Sequence, residues 1–125
     1  MAAKKTHAEK MKKLTIEIAE FLQKRDMFTM INIYSNNTRF SSDPAGNSSP
    51  ETTKYGAVYV TKDCDVTEII EYNNPETITM TFEGPLNHAL NYESAKTENA
   101  LQKLFNKYGL FFEMGYAWSL AAYKI

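Results

Sequence analysis

Residues 110–125 (LFFEMGYAWSLAAYKI) constrain the fold of this chain more than any other segment. One parity carries Leu110, Phe112, Met114, Tyr116, Trp118 and Leu120, and the other carries Phe111, Glu113, Gly115, Ala117, Ser119 and Ala121. Side chains alternate across a strand with period two, so the segment reads as one long β-strand with a bulky face and a small face. An apolar strand of this kind is expected inside a sheet rather than in a loose tail.

The remaining pattern supplies its neighbours. Thr6-His7-Ala8-Glu9 has the form of a capping box, and Met11, Leu14, Ile18, Phe21 and Leu22 follow at three- and four-residue spacing. Together they predict a helix over residues 7–25 with a stripe facing the core. Residues 27–35 (MFTMINIYS), 55–61 (YGAVYVT), 66–72 (VTEIIEY) and 77–82 (TITMTF) are rich in β-branched and aromatic side chains and read as strands. The last three form an expected antiparallel meander, with a turn at Asn74-Pro75-Glu76, and with Ile78, Met80 and Phe82 inward and the threonines outward. Residues 36–53 (NNTRFSSDPAGNSSPETT) hold Pro44, Gly46 and Pro50 among serines and asparagines and read as a mobile polar loop.

Residues 86–92 (LNHALNY) suit either a helical turn or an irregular connection. Beyond them a helix starting at Ser94 or Thr97 places Leu101, Leu104, Phe105 and Tyr108 on one side, and Gly109 is placed for a left-handed C-cap. The expected fold is a single α+β domain over residues 1–125, in the order α-β-β-β-β-α-β. It would be a mostly antiparallel sheet of about five strands with two helices.

Strands 55–61 and 66–72 are apolar on both parities, so both faces of such a sheet need cover. Either the helices take opposite faces or a second copy of the chain covers one. The reading adopted is a homodimer associating through a sheet face, with the Gly115, Ala117, Ser119 and Ala121 side allowing close approach.

Charge narrows the partners. The formal net charge is −1, which argues against a polyelectrolyte role. Residues 1–25 concentrate Lys4, Lys5, Lys10, Lys12, Lys13, Lys24 and Arg25 against Glu9, Glu17 and Glu20. This suits a solvated helix with short-range pairs such as Glu9–Lys13 and Glu20–Lys24. Arg25 and Arg39 are the only arginines and no RNA-binding signature is present, so nucleic acid is disfavoured as a partner. Cys64 is the single cysteine, excluding an intrachain disulfide. With no secretory signal and no run of about twenty apolar residues, the expectation is a cytoplasmic protein that does not enter a membrane.

Candidate chemistry centres on His88. Glu83 lies five residues before it, and a histidine beside a carboxylate at a strand terminus is suited to proton transfer. Glu113 is the third candidate catalytic group, and Tyr92, Tyr116 and Trp118 are candidate ligand-binding side chains. Two histidines and one cysteine, far apart, give no metal-ligand spacing, and Asp63, Asp65 and Glu68 lack the remaining ligands of a calcium loop. Neither a metal nor a cofactor is expected. The sequence therefore points to a non-enzymatic binding or interaction module acting as a homodimer. The alternative is a small-molecule-binding or enzymatic domain with its site around His88.

Overall fold

Thr6 opens helix α1 (His7–Lys24) by accepting the Glu9 amide at 3.1 Å, as its capping position requires. This computed structural model describes residues 6–93 and 95–125, so Lys4 and Lys5, and Ser94 as a helix start, lie outside the described residues. The helix ends where Asp26 turns left-handed (φ 55°) and the Met27 amide reaches back to the Leu22 carbonyl at 2.8 Å. That reversal consumes the start of the predicted first strand, and β1 is only Ile31–Ser35.

Asn36 and Asn37, both with positive φ, then make a two-residue hairpin into β2 (Thr38–Ser41), with Ser35 paired to Thr38. β3 (Ser49–Thr52) and β4 (Ala57–Lys62) form the next hairpin. The segment read as a mobile loop over 36–53 therefore contains two strands. Pro50 is compatible with β3 because β3 is an edge strand.

β5 (Thr79–Phe82) is followed by α2 (Pro85–Tyr92), α3 (Lys96–Asn106), β6 (Leu110–Met114) and β7 (Ser119–Lys124). Gly109, at φ 77°, closes α3 as predicted. The class is α+β with an antiparallel sheet, but the sheet has seven strands in the order β3-β4-β2-β1-β5-β7-β6. Three corrections follow. Residues 110–125 form a hairpin rather than one strand. Residues 66–72 form a 3-10 turn (Val66–Glu68) and irregular chain. The meander does not exist, because β4 and β5 are separated by β2 and β1.

Ile31, Ile33, Phe40, Val58, Val60, Met80, Phe82, Leu110, Phe112 and Leu120 all point to one face of the sheet and are buried there with α1 and α3. Leu14, Ile18 and Leu22 from α1, and Leu101 and Phe105 from α3, complete this core. Lys107 ties the two helices through Glu17 at 3.1 Å.

The opposite face carries Tyr34, Thr79, Ala121 and Ser119, and it is covered by the chain's own connection, residues 63–78. Val66 and Ile70 pack there on Tyr34. Asn74 Nδ2 and Thr77 Oγ1 both donate to the Ala122 carbonyl, at 2.7 and 2.6 Å, and the Thr79 hydroxyl accepts the Asn74 amide at 2.9 Å. Thr77 and Thr79 are consequently buried instead of facing out, the Thr77 hydroxyl satisfied by β7 and the Thr79 hydroxyl by the cover. Neither a helix nor a second copy is needed to cover this part of the sheet, so the dimer expectation loses the support it drew from residues 66–72.

Candidate functional site

The residues singled out from the sequence do not meet in one place. His88 is exposed on α2, with Nε2 3.6 Å from Glu93 Oε1 and its ring 5.7 Å from that of Tyr92. Its carboxylate partner is thus Glu93 rather than Glu83, and Tyr92 is 77% exposed. Glu113, on β6, accepts a hydrogen bond from the Tyr72 hydroxyl at 3.4 Å. The predicted proton-transfer group of His88, Glu83 and Glu113 is not assembled. Glu83 and Trp118 do come together, on the second face of the sheet.

A groove of about 390 Å³ runs there between the strand ends and the covering connection. Its floor is the cross-strand pair Asn32 and Thr81, with Asn32 Nδ2 donating to Thr81 Oγ1 at 3.2 Å. Ile69 and Ile70 from the connection form one wall, and Trp118 from the tip of the β6–β7 hairpin forms another. Ile69 is 52% exposed and Trp118 37%, so apolar surface is left open to an occupant. Tyr34 also lines the groove while being only 5% exposed. Burial raises its pKa, helped by nearby Cys64 and opposed by Arg39 and Thr81.

The aromatic wall is braced. Trp118 stacks on Tyr116 with ring centroids 5.1 Å apart and planes 9° from parallel. The Tyr116 hydroxyl in turn donates to Glu71 Oε2 at 2.9 Å, which joins the hairpin tip to the cover. That bond favours the neutral phenol and raises the Tyr116 pKa. Close approach is possible because Gly115 has no side chain: a Cβ there would lie 2.1 Å from Tyr72 Cδ1.

Asp43 and Glu83 stand at the same end of the sheet, on either side of Met30 and Ile31. The Ser42 amide donates to the Ile31 carbonyl at 3.0 Å, and the Glu83 amide to the Met30 carbonyl at 3.3 Å. The two backbones are thus two strand spacings apart, about 10 Å. Among the described residues the groove is lined by two carboxylates and by no lysine, arginine, histidine or cysteine. Comparison with models of protein families, with curated proteins and with solved structures finds no match to this chain.

Several groove residues carried no functional signal in the sequence. Asp43 sits in the segment read as a loop, Ile69 in one read as a buried strand, and Met30 in a strand that begins one residue later. Among the described residues no group of three histidines, cysteines or carboxylates is placed to hold a metal, and no helix is long and apolar enough to cross a membrane.

Proposed function

We propose that this domain is a non-enzymatic binding module whose ligand occupies the groove bounded by Trp118, Ile69, Asn32 and Glu83. The observation that carries this reading is the composition of the groove: open apolar walls around a few fixed polar groups, the usual make-up of a small-ligand site. Its one buried titratable side chain, Tyr34, is held neutral by burial and is poorly suited to act as a base. Among the described residues no histidine, cysteine or lysine lines the groove, which leaves the exposed carboxylates Asp43 and Glu83, on backbones about 10 Å apart, as its acid–base groups. A single cysteine, Cys64, suits a reducing compartment such as the cytoplasm.

Trp118 is the only tryptophan, so its fluorescence reports directly on the groove. Screening a fragment library by amide chemical shifts, with Trp118 emission as a second readout, tests the reading. Binding should move resonances at Asn32, Ile69, Thr81 and Trp118. His88→Ala should leave those shifts intact and change stability by less than about 0.5 kcal/mol, as for other exposed positions. Shifts centred on His88, Tyr92 and Glu93, or binding abolished by His88→Ala, would overturn it in favour of a site on α2.

A further inference from the structure

The geometry points to an organic cation as the groove's ligand: a small ammonium compound with an aryl or alkyl body. The inference rests on the groove being the binding site and names the chemistry that site selects. Three observations converge on it. First, the polar lining is rich in acceptors. Asp43 and Glu83 contribute carboxylates, and among the described residues nothing donates to Asn32 Oδ1, whose amide nitrogen is already used on Thr81. Second, among the described residues no cation lines the groove to neutralise those carboxylates. Arg39, on the same face of the sheet, sits across from Tyr34, acts on its phenol by charge and hydrogen bonding, and donates to Thr61 Oγ1 at 3.4 Å; it does not line the groove. Third, Trp118 lines the groove together with Glu83, its backbone joined to the neighbouring Phe82 amide at 2.8 Å, with one indole face stacked on Tyr116. An indole is the best aromatic partner for a cation.

The alternatives fail on the same groups. An anion would be repelled by both carboxylates. A neutral apolar molecule would gain on Ile69 and Trp118 but would forgo the charge attraction that Asp43 and Glu83 offer a cation. At about 390 Å³ the groove lies toward the small end of ligand sites, about 300–1,000 Å³. That suits an ammonium carrying one ring or a short chain.

Titration of the full chain with three matched probes, followed by Trp118 emission and calorimetry, tests this. The probes are 2-phenylethylammonium, 2-phenylethanol and 3-phenylpropionate. The cation should bind at least about tenfold more tightly than the alcohol, and the carboxylate more weakly than either. Glu83→Gln and Asp43→Asn should each cost the cation about fivefold while leaving the alcohol unchanged. Both side chains lie at the rim, and circular dichroism of each variant confirms its fold.

Equal affinity for cation and alcohol would overturn the charge assignment and leave the groove as a binding site. No saturable binding of any probe, with no groove shifts from the fragment screen, would overturn both. Tighter binding of a lysine mimic, Nα-acetyl-lysine amide, than of 2-phenylethylammonium would overturn the assignment to a free ammonium compound and assign the groove to a protein side chain.

Discussion

Gly115 shows how a single residue fixes the distance between the sheet and its cover. Tyr72 occupies the space a side chain would need, with its Cβ 2.8 Å and its Cδ1 2.1 Å from where a Cβ would stand. The ring has little freedom to move: its hydroxyl donates to Glu113, and its edge meets the Tyr123 ring at a centroid distance of 6.5 Å. Gly115→Ala should therefore destabilise the fold by about 1–3 kcal/mol, the usual cost of overpacking. Because the clash is with one side chain, combining it with Tyr72→Ala should cost less than the two changes added. Urea denaturation of the four proteins in the cycle measures this. Strict additivity would show that the Tyr72 ring is not what Gly115 accommodates. The alternation of small residues around Gly115 marks a place of close approach in the sequence, but composition does not name the approaching group, and it proves to be the same chain.

At the scale of elements, α1, β4, β5, α3 and the Gly109 cap were legible in the sequence, because periodicity and capping act within a few residues. The final hairpin was not, and the reason is geometric. Met114 pairs with Leu120 and Phe112 with Ala122, residues an even number apart, so the bulky parity keeps one face from arm to arm. That holds for Leu110, Phe112, Met114 and Leu120 on the two arms, while Tyr116 and Trp118 in the turn reach the other face, so alternation alone cannot distinguish this hairpin from a single strand. Asn36-Asn37 is a hairpin signal masked by the polar residues after it, and Ile69-Ile70 mimics a strand buried on both sides although only Ile70 is buried. The groove was least legible, since its lining comes from five separate stretches brought together by the sheet and its cover.

β6 also lies on the free edge of the sheet, a position that invites pairing with another chain. The Gln102 side chain occupies it as a neighbouring strand would: its Oε1 accepts the Phe112 amide at 2.7 Å, and its Nε2 donates to the Phe112 carbonyl at 3.2 Å. Asn106, with its amide turned to donate, reaches the Leu110 carbonyl at 2.8 Å. Gln102→Ala should cost about 1–2 kcal/mol by freeing two backbone groups, and should raise self-association. Light scattering across a concentration series measures the second effect. A variant no more associated than the parent would mean that the edge is protected by something other than this amide.

The whole molecule is a sheet held between two layers of different chemistry, and pH should separate them. Tyr34, Tyr72 and Tyr116 all link the sheet to the connection over its second face, and each has a raised pKa. For Tyr34 the main cause is burial, for Tyr72 a hydrogen bond with Tyr123, and for Tyr116 its bond to Glu71. A folded-state pKa above the unfolded value means that the stabilisation is present below about pH 10 and is lost as pH rises through the folded value. Alkali should thus loosen the cover.

The helix layer has an acid-sensitive contact instead. Burial raises the Glu17 pKa, but the Tyr108 hydroxyl and the Lys107 and Lys13 charges together outweigh it, leaving the carboxyl below its ordinary value. That contribution is present above the unfolded carboxylate pKa and is lost as pH falls through the folded one. Tyr108, raised by its own burial and by Glu17, is the single alkaline-sensitive group identified in this layer. In an upward titration Trp118, stacked on Tyr116, should change its emission at lower pH than the far-ultraviolet signal of α1 and α3. Tyrosinate absorbance followed in parallel assigns the first step to phenol ionisation. Coincidence of all three signals would instead make the cover and the helix layer one cooperative unit, with no stage at which the groove opens while the core stays folded.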